Sequence, residues 1–493
     1  MRLGAKHQQQ SITLSDFSGG LNTIATVEGI GANQLFDVKN MEVDQSTGKL
    51  RSVAGTKDVI KRDGISGCMY DRINNRMLII CNRKVYYDNA ELGELSGNLY
   101  PIYTAWENGI LIATGGKLQY YNGSELKTIE TSPSNCSSVY IRAGRVIVSC
   151  GNEIRYSGIG DEENWTEDSN DQSSSKFVEA GYKDGGNFLG MASLSQYIVI
   201  VKDNRHVYRL DGEYPNWAIA ELSRNVECTN RLGICSVADA VFILGKNSLQ
   251  TIEVNQYGGD MKAASVSNLV QTEIQKLPAE SKVRYVAPLN QLWIIGENAR
   301  ILVYDLVFQA WYVREFNGRI IDVISIGDEV FIIKTDRISQ LDGTIFEDNG
   351  IAMQWKFRGQ RLVSQHEFLL KRTVVSFVPM SEKLYSGAIM VGAVIVGFPI
   401  PTRQLRIMGN RSRIWKNRTK IAGVGRGRGT YFSELKVRKD QRVLNGNRDK
   451  IFSRRTIMKE SRNVFRSKYL DIRGEGNAGG IILQEIMLEI AEV

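Results

Sequence analysis

VIVSCGNEIRYSGIGDEENW, residues 146–165, decides the fold. An apolar run, Val146, Ile147 and Val148, stops at a polar-glycine turn, Gly151-Asn152. A second, alternating run with Ile154 and Tyr156 follows and ends in another glycine loop. Short apolar or alternating runs separated by a two-residue glycine turn are the signature of a β-hairpin.

Working outward, the same phrase recurs from about residue 66 to residue 345. Its first strands are MLIIC, ILIATG, VIVSCG, IVIVKD, FILGKN, WIIGEN and FIIKTD, beginning at 77, 110, 146, 198, 242, 293 and 331. Each is followed by a second run: KVYYDN, KLQYYN, EIRYSG, HVYRLD, LQTIEV, ILVYDL and RISQLDG. Most have a third upstream, such as SSVYI (137–141), GICSVA (233–238), VRYVAP (283–288) or IIDVISI (320–326). The steps between first strands are 33, 36, 52, 44, 51 and 38 residues. A unit of three or four strands repeated at that uneven pitch predicts an all-β chain with a β-propeller of about seven blades. A β-sandwich or an unrepeated β domain is the alternative.

A chain of 493 residues exceeds one ordinary core and predicts two or three domains. We divide it into lead-in strands at 1–60, the propeller at 61–350 and a β-sandwich platform at 351–493. Within the last part, TVVSFV, IMVGAVIV, KYLDIRG and IILQEIMLEI carry β patterning. IILQEIMLEI also fits helical spacing, and the glycines at 474, 476, 479 and 480 before it favour a hairpin. GAIMVGAVIVGFPI (387–400) is the longest stretch free of charge, yet it is shorter than the ~20 residues of a spanning helix. We read it as a buried strand pair, with a membrane-touching loop as the minor alternative. MRLGAKHQQQ lacks an apolar segment, so no secretion signal is expected.

The chain's +8 conceals an asymmetry. Residues 401–470 hold 21 Lys plus Arg against 4 Asp plus Glu, a surplus of 17. The remainder has 62 − 21 = 41 basic and 54 − 4 = 50 acidic residues, or −9. The basic side chains singled out are Arg403, Arg406, Arg411, Arg413, Arg418, Lys420, Arg426, Arg428, Arg454 and Arg455. They alternate with apolar residues and suit the solvated face of strands, a surface that contacts phosphates, or an interface with an acidic protein. Docking on an acidic protein is favoured over direct DNA binding.

No catalytic residue, metal site or cofactor is expected. The six cysteines lack a C-x-x-C spacing and read as reduced core residues, and three scattered histidines assemble no ligand set or triad. Asp161, Glu162 and Glu163 have the residue types of a general acid and base, yet they also suit a solvated loop leading to a packed Trp165. GVGRGRG (423–429) lacks the strand and helix that make a dinucleotide fingerprint work.

DFSGGLNT (16–23) and NQLFDVKNMEVDQSTGKLRSVAGT (33–56) resemble the opening of the packaged-DNA stabilisation, or tail-nozzle (tail hub, tail tubular), proteins of short-tailed bacteriophages. EIRYSGIGDEENWT (153–166), GNFLGMASLSQYIVIVKDNRHVYRLDG (186–212) and LGICSVADAVFILGKNSLQTI (232–252) resemble that family's repeats. FRSKYLDIRGEGNAGGIILQEIMLEIAEV (465–493) is similar to its closing strands. The resemblance implies a structural virion protein, assembled in the host cytoplasm. It would form a ring, a hexamer in that family, below the head-to-tail adaptor. There it retains packaged double-stranded DNA and conducts it at ejection, meeting the host membrane only indirectly. Implied partners are further copies of the chain, the adaptor, and other tail proteins such as fibres or spikes. Two rival functions come from other classes: a propeller that binds or cleaves host-surface glycan, and a nucleic-acid-binding module.

Overall fold

A computed structural model describes residues 9–195, 197–212, 217–254, 261–380, 386–398, 457–462 and 464–492. The described residues are all-β apart from one short helix, Gln271–Ile274, and three single 3-10 turns. They divide into two compact units. A repeat unit comprises residues 58–301 and 318–340; a flanking unit comprises 1–57, 302–317 and 341–493.

Seven four-stranded sheets occur among the described residues. Their first strands are Ile65–Asp71, Ile102–Trp106, Cys136–Arg142, Phe188–Leu194, Ile234–Val237, Lys282–Val286 and Ile320–Ile326. All seven first strands lie in the repeat unit. Each of the seven hairpins expected from sequence is present, as with Arg145–Cys150 and Glu153–Tyr156, which pair antiparallel. The seventh sheet runs through Ile320–Ile326, Glu329–Lys334 and Arg337–Asp342, and its fourth strand is Gly55–Lys61 from near the start of the chain. Two long stretches between the repeated hairpins carry structure of their own. Residues 159–185 contain the strand Lys176–Glu179, and 255–280 contain Met261–Ser265 and the short helix.

The second strands explain why apolar runs replace alternation. Val146 and Val148 pack toward the second sheet, against Trp106, Leu111 and Ala113. Between them, Ile147 points the other way and packs with Ile198 and Ile200 of the fourth sheet. Val199 and Val201 then face Val241 and Ile243 of the fifth. A strand buried on both faces needs an apolar residue at every position, and each such side chain contributes about 1.5–3 kcal/mol of burial. Contacts between successive first strands run from the second sheet to the seventh. The first sheet shares a core with the seventh through Ile65, Ile79, Phe331 and Ile333, and with the second through Leu78, Ile80, Ile110 and Ile112. The seven sheets therefore close into a cycle.

In the flanking unit, residues 9–52 are not a separate lead-in. Gln9–Leu14 and Leu50–Ser52 both pair with Ile481–Glu492, which also pairs with Leu362–Pro379. Ile481–Glu492 is a strand, so the helical option for it falls. The glycines before it do not make a hairpin, because Ile472–Ala478 belongs to a second, five-stranded sheet with Trp355–Arg358, Asp37–Lys39, Ser386–Val391 and Val394–Phe398. Gly474 and Gly476 instead lie opposite Phe357 and Trp355. A Cβ on Gly476 would fall 2.2 Å from the Trp355 ring, so these positions must be bare for the aromatic rings to lie over the strand. Ser386–Val391 and Val394–Phe398 form the strand pair expected within 387–400, with Ile389, Val391, Val394 and Val396 buried.

Candidate functional site in the repeat unit

The ten basic residues singled out from sequence, Arg403 through Arg455, lie outside the described residues. Of the wider basic stretch, Lys459 donates to the Gly397 carbonyl at 2.9 Å, and burial lowers its pKa to about 8. Arg462 pairs with Glu460.

The acidic loop after the third sheet's second hairpin is packed in place by its tryptophans. Glu162 accepts from Trp106 Nε1 at 3.0 Å, and the Glu162 carbonyl accepts from Trp165 Nε1 at 2.6 Å. Asp161 accepts from the Glu163 backbone N–H at 2.9 Å, the geometry of an Asx turn. Trp165 is buried in the core between the second and third sheets. These carboxylates hold a loop onto that core, as the solvated-loop reading expects.

A polar constellation lies where the first strands meet, and sequence reasoning missed it. Arg284, in the sixth first strand, grips Asp322 of the seventh with two parallel bonds, Nε to Oδ1 at 2.8 Å and Nη2 to Oδ2 at 3.0 Å. Tyr100, just before the second sheet, donates to Asp322 Oδ2 at 2.6 Å. Lys282 lies 3.8 Å from the centre of the Tyr100 ring and donates to the Ile321 carbonyl at 2.7 Å. Second-sheet and sixth-sheet groups meet here although their sheets are not neighbours in the cycle.

Arg231 extends furthest. It opens a 3-10 turn, Arg231–Gly233, capped by Asn230, whose Oδ1 accepts from Leu232 and Gly233 N–H groups. From that rigid base its guanidinium donates to the carbonyls of Ser137 and Tyr100, on the third and second sheets. It thus spans the interior of the cycle from the fifth sheet.

Burial and charge set the electrostatics. Burial opposes ionisation of Asp322, yet Arg284 and Lys282 pull its pKa below the usual carboxylate value. Burial, with Asp322 beside it, pushes the Tyr100 hydroxyl well above its usual range, and burial lifts Tyr103 to about 12. Burial and the neighbouring Arg284 lower Arg231 to about 10. Lys282 and Arg284 act on Asp322, and Glu297 stands 3.3 Å from Lys282. This constellation is built to bind and orient main-chain and side-chain groups of neighbouring sheets.

Beside it opens a cleft of about 510 Å³, lined by Asp63, Ser66, Asn82, Glu297, Arg319 and Asp336. Its charges are already engaged in part: Glu297 pairs with Arg319 and Lys282, and Asp336 with Arg337 at 2.6 Å. Among the described residues no group of three or more His, Cys, Asp or Glu could hold a metal ion. No helix there is long and apolar enough to cross a membrane. A signal for this site existed: charged residues at Arg284 and Asp322 interrupt otherwise apolar first strands, VRYV and IIDV.

No family model matches the chain, and no curated protein does. Among solved structures it is similar to BamB from Moraxella catarrhalis, at 10% identity and a TM-score of 0.39, over 59% of this chain and 90% of that one. It is similar to the Pan2 WD40 domain of Neurospora crassa, at 10% identity and a TM-score of 0.38, over 59% and 94%. YCF48 from Cyanidioschyzon merolae gives 7% identity and a TM-score of 0.39, over 59% and 98%.

Proposed function

We propose that this chain is a structural protein of a short-tailed phage virion. It forms the tail-nozzle ring below the head-to-tail adaptor, retains packaged DNA, and conducts it at ejection. In this reading the seven cyclic sheets are a seven-bladed β-propeller, closed by Gly55–Lys61 as the last strand of the seventh blade. The two sheets of the flanking unit are the β-sandwich platform.

One observation carries the reading. The two terminal stretches that resemble the nozzle family, 33–56 and 465–493, are joined strand to strand, Leu50 opposite Leu483 and Arg51 opposite Ile482. Segments so far apart in sequence keep such similarity together when they build one element, here the sheet that receives both ends of the chain. The middle stretch of the resemblance, 153–252, falls on the third to fifth sheets, with EIRYSGIGDEENWT supplying a hairpin strand and the tryptophan-anchored loop.

A nozzle acts by assembly. Purified chain, alone and mixed with DNA-filled heads that carry the adaptor, is measured by mass in solution and by negative-stain imaging. Closed cyclic rings at the adaptor are the expected result. A chain that stays monomeric with such heads present sinks the proposal, and cleavage of a host-surface polysaccharide by the chain alone would move it to the glycan class.

A further inference from the structure

We propose that Cys136 and Cys150 are a redox pair, a dithiol that closes to a disulfide within the third sheet. The two residues lie directly opposite each other, in the antiparallel strands Cys136–Arg142 and Arg145–Cys150. Their Sγ atoms are 3.7 Å apart. Opposed residues in antiparallel strands have Cα atoms about 4.5–5.5 Å apart, inside the window of about 4.4–6.8 Å that a disulfide requires. The sulfurs need to close by roughly 1.7 Å to reach bonding distance, a displacement within reach of side-chain rotation. Cys136 Sγ also lies 3.1 Å from the Pro133 carbonyl, and Cys68, Cys228 and Cys235 lie against the carbonyls of Met69, Asn230 and Ser236.

Exposure orders the steps. Cys150 is partly exposed, whereas Cys136 is fully buried among Trp106, Val139 and Val148. Its hydrogen bond with Cys150 and burial both push the Cys136 thiol up, which keeps it protonated until its partner has reacted. With a small disulfide such as oxidised glutathione as oxidant, the Cys150 thiolate attacks one glutathione sulfur. That step breaks the glutathione S–S bond and releases one glutathione thiolate. Cys136, losing its proton, then attacks Cys150 Sγ and expels the second glutathione. Two protein thiols are oxidised, one glutathione disulfide is reduced to two thiols, and the two protons end on those thiols.

The bridge sits at a joint. Cys136 bonds through its backbone to the turn of the second sheet, N–H to Gly116 O at 2.8 Å and O from Gly115 N at 2.7 Å. Beyond Cys150, the Gly151 carbonyl accepts from Phe188 N–H at 3.2 Å, where the fourth sheet begins. Closing the pair therefore ties the place where three sheets meet. The inference is independent of the nozzle reading.

The test uses the full chain incubated with oxidised glutathione, then denatured and titrated for thiols. Of the six cysteines, two are expected to be lost to titration. Tryptic peptides carrying Cys136 and Cys150 should be joined, and should separate on reduction. The oxidised chain should also melt at a higher temperature than the reduced one. Cys150→Ser, at a partly exposed site, should abolish both the thiol loss and the melting shift. In Cys136→Ala, glutathione should remain attached to Cys150. Six thiols after treatment, a bridge between other cysteines, or glutathione persisting on Cys150 in the unsubstituted chain would each overturn the proposal.

Discussion

Arg284 and Asp322 are joined by two parallel hydrogen bonds, 2.8 and 3.0 Å, and so lock the first strand of the sixth sheet to that of the seventh. Bidentate pairing of this kind fixes geometry as well as charge. Asp322 is almost wholly buried, and Tyr100 from the second sheet shares its second oxygen.

Asp322→Asn should destabilise the repeat unit by up to about 3 kcal/mol, because it strips a half-buried guanidinium of its counter-charge. The double change Arg284→Met with Asp322→Leu should cost much less, since it removes both charges together. Urea unfolding of the two variants beside the unsubstituted chain checks this. Equal losses in the single and double variants would mean that packing, and not charge, governs the site.

Gly109→Ala should be severe, because a Cβ there falls 1.8 Å from the Tyr121 carbonyl oxygen of the paired strand. A loss of about 3 kcal/mol is expected from such overpacking. Gly151→Ala is the control: its φ is +63° with nothing within 4 Å, so only the left-handed backbone penalty of about 1 kcal/mol applies. Thermal melts of the two variants should separate them clearly.

Acid stability should carry the signature of Asp184. Burial opposes its ionisation, yet bonds from Lys202, the Gly186 N–H and Tyr208 lower its pKa from 3.8 to about 2. A folded-state value below the unfolded one means that the unfolded chain binds the proton first. The stabilisation is therefore complete above about pH 4 and is lost as pH falls toward 2. Asp184→Asn should flatten that part of the stability-versus-pH curve, as read by urea midpoints, and an unchanged slope would exclude Asp184 as its source.

The basic segment yields a prediction about attachment. Reversing the charges at Arg411, Arg413 and Arg418 should block addition to DNA-filled heads, with the repeat unit's melting unchanged. Attachment of the unsubstituted chain should weaken with salt, as contacts screened over about 8–10 Å do. If the segment gripped DNA instead, free chain would bind duplex of any sequence with a log–log salt slope near −0.9 per phosphate neutralised. Normal attachment of the reversed variant together with such binding would reassign these arginines to the wall of the DNA channel.

Sequence determined the local β structure of this protein. Runs such as Val146-Ile147-Val148 specify strands covered on both faces, and Gly151-Asn152 specifies the turn after them, because strand pattern and turn chemistry act between neighbours in the chain. The seven hairpins and the strand pair within 387–400 were legible for that reason. Tertiary structure alone decided which strand ends the seventh sheet, since Gly55–Lys61 reaches it from the far side of the sequence. It also decided that Ile472–Ala478 and Ile481–Glu492 part into different sheets at a glycine turn that reads as a hairpin. The meeting of Arg231 with Tyr100 and Ser137 likewise waited on the closed cycle. Each depends on a partner chosen by burial and loop closure over long separations, and such a choice leaves no period in the sequence around either partner.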